Sequence, residues 1–343
     1  MESPRSRRGR RARPAPRRPL RFLPLALAAA AVLGATAGGA VCAEVRARFG
    51  GWAVSSSSVT PSASASEAGD EEVSVEDGAA PEEERDALLA AAMRSVPVPG
   101  GAAVSVAVLD LASGESAAYG GGVFDTASIV KADILAALLL RAQDEGRRLT
   151  TAERTCAKAM IENSDNDAAS ALWRTIGEAE GLDAANERFG LTGTRGGQDM
   201  LWGLTRTTAA DQLTLLRQVF GDDSELSEAS RAYLRDLMGQ IAAGQDWGVS
   251  AAADGSSWAL KNGWLPRSTT GLWDVNSIGR VSAGGRDYLV AVLSDGNATQ
   301  AAGISLVEAA ARAAVSAFTD GGGTASAATP VVTDSARASS SAS

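Results

Sequence analysis

The chain has 343 residues, a formal net charge of −9 and no histidine. Without histidine it runs no Ser-His-Asp or Cys-His mechanism and holds no histidine-ligated zinc. The acidic balance disfavours a nucleic-acid partner, the more so because nine arginines are concentrated in residues 1–21 and leave the remainder more acidic still.

That Arg-rich segment is expected to stay in the cytoplasm. Residues 22–42 form an uncharged apolar run of about the length that crosses a bilayer. It reads either as a transmembrane anchor or as the hydrophobic region of a signal peptide. Val41 and Ala43 are small enough for cleavage after Ala43, whereas Gly39 and Val41 fit a lipidated Cys42 poorly. Both readings export the chain beyond residue 43, so the expected location is the outer face of the cytoplasmic membrane, anchored or secreted. Residues 43–82 are acidic and Ser-rich, a disordered linker by composition. Residues 321–343, rich in Gly, Ser, Ala and Thr, read as a disordered tail. The span between, 83–320, suffices for one sizeable domain. Cys42 lies in the apolar run, so no disulfide within the domain is expected, and Cys156 reads as a small buried residue.

Within the domain, Glu83 to Val96 has the apolar spacing of a short amphipathic helix. Ala103–Leu111 and Glu115–Tyr119 read as a hairpin turning at Ser113-Gly114. A helix is expected from Ser128 to Arg147 and another opening at Thr151 as its cap. Ala168–Ile176, Leu182–Phe189, Ala209–Phe220 and Ser227–Ile241 continue the helical block, interrupted by a Gly- and Thr-rich loop, 190–205. The last third changes period. Trp258–Trp264, Val275–Ser282 and Tyr288–Ser294 read as strands, and Gln300–Phe318 as a long helix. Strands at both ends must meet in one sheet, with the terminal helices on one face and the helical block on the other. A cleft between sheet and block is where chemistry would sit.

Ser128 and Lys131 are three residues apart, on one face of a helix and near enough to interact. Serine is a weak nucleophile until a base takes its proton. Lysine serves as that base once its pKa is lowered, and arginine does not. The chain has only three lysines, Lys131, Lys158 and Lys261, and writes Arg almost everywhere else. Alone, Ser-x-x-Lys is also satisfied by a helix cap and a solvated lysine. Two further segments add weight. Ser164-Asp165-Asn166 offers a hydroxyl, a carboxylate and an amide at a turn between helices, a pattern shared with ordinary Asx-turns. Lys261-Asn262-Gly263 lies on a strand whose glycine permits close approach of a ligand or another backbone.

In this order the three segments resemble the motif set of the class A β-lactamase and penicillin-binding protein superfamily, Ser-x-x-Lys, Ser-Asp-Asn and Lys-Thr-Gly. The resemblance spans about 83–320. It implies an α/β (α+β) fold with a five-stranded antiparallel sheet flanked by helices, an all-helical lobe and an active-site cleft between them. It also implies roles. Ser128 is the acylated nucleophile and Lys131 its base, while Ser164 relays a proton and Lys261 holds that hydroxyl and the substrate carboxylate. Asn166 binds the substrate amide and braces Lys131. Asn262 and Gly263 line the substrate site, and the backbone N–H groups of Ser128 and Trp264 form the oxyanion hole. β-Lactams or D-Ala-D-Ala peptides are the implied substrates. No metal or cofactor is implied, and a monomer is expected.

Three departures qualify this. Asn262 replaces a hydroxyl. Only 36 residues separate Ser128 from Ser164, shorter than in typical class A enzymes, so the helical lobe is expected to be reduced. The loop 190–205 lacks the glutamate that activates water in those enzymes, and Asp199, its only carboxylate, is a weak substitute as deacylation base. Two alternatives therefore stay open: a penicillin-binding or sensor domain that deacylates slowly, and a catalytically silent scaffold.

Overall fold

A computed structural model of the protein describes residues 79–319 apart from Ser256. The Arg-rich segment, the apolar run, the linker as far as residue 78 and the tail 321–343 lie outside the described residues. The elements run α1 (Ala79–Met93), β1 (Ala103–Asp110), β2 (Ser116–Tyr119), β3 (Phe124–Asp125), a 3-10 turn at Ala127–Ile129 and α2 (Val130–Asp144). Next come helices α3 (Thr151–Glu162), α4 (Asn166–Ile176) and α5 (Glu178–Phe189), then a 3-10 turn at Trp202–Leu204 and β4 (Arg206–Thr207). The chain continues with α6 (Ala209–Phe220), α7 (Glu228–Met238), β5 (Trp258–Pro266), β6 (Trp273–Ala283), β7 (Arg286–Asn297) and α8 (Gln300–Thr319).

The five long strands form one antiparallel sheet in the order β2-β1-β7-β6-β5. Strands from the two ends of the chain thus meet at β1–β7, as the expected element order requires. Side chains alternate across a strand, and here each face has its own core. Leu89 and Met93 of α1 and Leu306, Val307, Ala310 and Ala314 of α8 cover one face with Val106, Val108, Leu260 and Val290. The helical lobe covers the other with Ala107, Leu109, Ala259, Ile278 and Ala291.

Helix α2 is the axis of that lobe. Twelve of its fifteen residues are buried, the mark of a helix surrounded by others rather than lying on a surface. α3 opens on a capping box in which Thr150 accepts from the backbone of Glu153 and Glu153 accepts from that of Thr150. The cap is therefore Thr150, one residue before the expected Thr151, because only the residue three before Glu153 completes the reciprocal pair. Such a cap is worth about 1 kcal/mol. Cys156 is buried in this core, as expected. The short ladder β3–β4, pairing Phe124 with Thr207 and Asp125 with Arg206, was not foreseen, since two-residue strands carry no periodicity.

Candidate active site

Four segments converge between the helical lobe and the edge strand β5. The first is the turn that carries Ser128. The expected α-helical first turn is instead a 3-10 turn that hands over to α2 at Val130. Ala127, just before Ser128, is held at φ 49°, a left-handed conformation that costs a non-glycine residue about 1–3 kcal/mol. The neighbours that fix it are specific. Asn276 of β6, fully buried, donates to the carbonyls of Asp125 and Thr126 at 2.9 and 3.0 Å. Thr126 N–H donates to Thr205 O at 2.9 Å. Gly263 presses β5 against the turn so closely that a Cβ there would lie 2.7 Å from both Ser128 N and Thr126 O. The glycine of Lys261-Asn262-Gly263 is thus required by the close approach of backbone to backbone.

The second segment is Ser164-Asp165-Asn166, whose residues divide three tasks. Asp165 caps α4, accepting from Ala168 N–H at 2.7 Å. Ser164 sits at φ 55° in the left-handed region, and Asn166 opens the helix. Both polar side chains then reach Lys131. Lys131 Nζ lies 2.7 Å from Ser164 O, 2.8 Å from Asn166 Oδ1, 2.9 Å from Ser128 Oγ and 3.0 Å from Ser164 Oγ. From the third segment, β5, Lys261 Nζ donates to Ser164 Oγ at 3.1 Å and to Asn262 O at 2.9 Å. A continuous chain of contacts runs from the Ser128 hydroxyl through Lys131 and Ser164 to Lys261.

Both lysines are buried, at 0% and 1% exposure, and among the described residues neither has an ion-pair partner. Burying an unpaired ammonium is costly, which favours loss of the proton. Burial holds the Lys131 pKa well below the usual lysine range, the nearby Lys261 charge lowers it further, and Asp165 opposes both. Burial brings Lys261 down to about 7. A neutral amine has two hydrogens and one lone pair. Ser164 O and Asn166 Oδ1 carry no hydrogen and are obligate acceptors here. Once they take the two N–H bonds of a neutral Lys131, its lone pair is left for the hydrogen of Ser128 Oγ.

The fourth segment is the loop 190–205. Trp202 places its ring 4.9 Å from Lys131 Nζ and donates from Nε1 to Ser170 Oγ at 3.2 Å. Trp173 Nε1 holds Asp199 O at 2.7 Å, and Gly197 N–H donates to Thr205 Oγ1 at 3.1 Å.

Two expected site residues are placed elsewhere. Asp199 is exposed at the loop surface and touches the site only through its backbone carbonyl on Trp173, so it does not stand as a base beside Ser128. Asn262 does not present its amide to the cleft. It shares a face with Leu260, opposite Lys261 and Gly263, is 1% exposed, and gives both N–H bonds to the carbonyls of Gln245 and Trp247 at 2.7 and 2.9 Å. Strand alternation sends it through the sheet. Trp264 is half-buried and packs on Trp247, ring centroids 5.9 Å apart. Trp202 and Asn276 carry no motif that singles them out in the sequence. A tryptophan in a Gly-rich loop is a weak signal, and a strand asparagine is none. Among the described residues no cluster of potential metal ligands occurs.

The profile of the Beta-lactamase enzyme family, Beta-lactamase2, matches residues 148–318. The same fold recurs in PBP-A, at 24% identity with a TM-score of 0.59, covering 68% of this chain and 96% of that one. It recurs too in a β-lactamase from Xanthomonas campestris, at 24% identity and a TM-score of 0.54, covering 67% and 96%. Over residues 148–318 the chain carries the pattern of the Beta-lactamase enzyme family, and its fold is the one seen in these β-lactamase and PBP-A structures. A variant of PBP-A was determined as an acyl-enzyme complex with penicillin G. A "Putative lipoprotein LppW" of Mycobacterium tuberculosis is 28% identical over 173 residues, 48% of this chain and 55% of that protein, so the match spans about half the relative's length. The family match begins after Lys131, so the Ser128–Lys131 pair stands on its geometry.

Proposed function

We propose that the protein is an exported serine hydrolase acylated at Ser128 by β-lactams or by acyl-D-alanyl-D-alanine peptides. The observation that carries this reading is the Ser164 hydroxyl held between two buried lysines, neither ion-paired among the described residues, with one of them 2.9 Å from Ser128 Oγ. Ser128 Oγ attacks the substrate carbonyl carbon as its proton passes to neutral Lys131. The N–H groups of Ser128 and Trp264 take the developing oxyanion, where a preorganised donor contributes about 3 kcal/mol. Collapse of the intermediate breaks the carbon–nitrogen bond. The proton moves from Lys131 through Ser164 Oγ to the leaving nitrogen, and Lys131 is neutral again. A protonated Lys261 faces the substrate carboxylate and steadies Ser164, and Asn166 braces Lys131. No metal or cofactor enters these steps.

Export with tethering at the outer face of the membrane is supported by the Arg-rich segment followed by the apolar run 22–42, and by the description of the mycobacterial relative as a putative lipoprotein. The activity is tested on the full chain with a chromogenic β-lactam, following absorbance and intact mass together, with Ser128→Ala as control. An adduct or turnover that depends on Ser128 supports the reading. Neither adduct nor turnover with any β-lactam would leave a silent scaffold.

A further inference from the structure

Resting on that acylation reading, we propose that Trp202 is a positioning residue that keeps water from Lys131 and so slows hydrolysis of the Ser128 ester. Hydrolysis of the ester needs a water oxygen to bond to the acyl carbon and the bond from that carbon to Oγ to break. One water proton must go to a base, and Ser128 Oγ must regain a proton. Among the described residues no carboxylate hydrogen-bonds to Ser128, Lys131, Ser164 or Lys261, and Asp199 faces solvent. Lys131 is the base left to do this work. Its Nζ is walled in by Ser128 Oγ, two oxygens of Ser164 and Asn166 Oδ1, and the indole of Trp202 covers the site at 4.9 Å. The side chain has 0% exposure. Acylation uses only groups already inside this wall. Ser128 itself is half-buried, so what Trp202 covers is the approach of water to the Lys131 amine, and water exclusion is a recognised means of protecting a reactive intermediate.

The loop is built to keep the indole there. Trp202 Nε1 is tied to Ser170 of α4. The chain before it is folded so tightly that a Cβ at Gly197 would meet Leu201 O at 2.1 Å. The Trp202–Leu204 turn also reaches the nucleophile turn, since a Cβ at Gly203 would lie 3.9 Å from Ala127.

The test uses the full chain labelled with benzylpenicillin, freed of excess ligand and followed by intact mass. Wild type should keep its adduct for hours. Trp202→Ala should shorten the adduct lifetime by about tenfold or more, and Trp202→Phe, which keeps a ring, by no more than about twofold. Ser170→Ala, which only frees the indole, should fall between them and guards against a Trp202→Ala chain that fails to fold. A merely structural role would slow acylation and leave deacylation alone, so the sign of the deacylation change is the discriminating readout. Rapid loss of the wild-type adduct, or equal lifetimes in wild type, Trp202→Ala and Ser170→Ala, would overturn the proposal while leaving acylation standing. No adduct on wild type would sink the acylation reading, and this proposal with it.

Discussion

Lys131 and Asp133 stand two residues apart on α2, both buried and both carrying a charge that burial opposes. Their surroundings separate them. Lys131 faces the cleft and touches two hydroxyls. Asp133 faces the lobe interior, where Oδ1 accepts from Gln212 at 3.1 Å. Gln212 also reaches Thr207 at 3.1 Å, and Thr207 is linked through Thr194 to Asp211 at 2.8 and 2.6 Å. Burial raises the Asp133 carboxyl to about 7, with Gln212 pulling the other way. Desolvation thus favours the neutral form of both groups, but only the neutral lysine has a lone pair to receive a proton. A perturbed group becomes a candidate for chemistry through what it touches rather than through the shift itself.

The largest test of this contrast is Lys131→Arg. Arginine keeps the charge and is not deprotonated, so the acylation rate measured by fluorescent-penicillin labelling should fall by roughly a thousandfold, within the range for loss of a general base. Retention of wild-type labelling would remove Lys131 as the base. Gly263→Ala comes next. A methyl group 2.7 Å from Ser128 N must displace the nucleophile turn, and a misplacement of that order costs about a hundredfold in rate. Unchanged labelling would mean that the close approach of β5 to the turn is not needed.

A third test sharpens the role of Lys261. Its pKa of about 7 means that its charge is present below that pH and lost above it. The acylation rate with a carboxylate-bearing β-lactam should therefore decline as pH rises through about 7, and a neutral ester of the same β-lactam should decline less. Equal pH profiles for acid and ester would remove the electrostatic contact. The smallest effect is expected at Asp133→Asn. Between the unfolded value of 3.8 and about 7, the folded chain holds a proton that the unfolded chain has released. The contribution to stability is thus full below that window and is lost as pH rises through it. Urea midpoints of wild type should show this loss and those of Asp133→Asn should not, with labelling of Ser128 unaltered. A variant that loses labelling would erase the distinction between the two residues.

Much of this was legible in the chain. Period-two alternation in Trp258–Trp264 and Val275–Ser282 located strands that the fold extends by a few residues at their ends. The Ser128, Lys131, Ser164, Asn166 and Lys261 set was written in three short segments, and the fold brings all five together. What stayed hidden depends on three-dimensional direction. Whether Asn262 faces the cleft or the far side of the sheet is decided by strand parity relative to Lys261. Trp202 reaches Lys131 only because a loop with no period folds back on α4. Asn276 braces the nucleophile turn across about 150 residues of sequence, a pairing that no local pattern records.

The central claim is that Lys131 is a neutral amine beside Ser128 at neutral pH. With three lysines in the whole chain, lysine-selective isotope labelling gives three side-chain NMR signals to titrate. The Lys131 signal, assigned by its loss in Lys131→Arg, should titrate well below the usual lysine range and be uncharged at neutral pH. A Lys131 that stays charged up to the usual lysine range would contradict this.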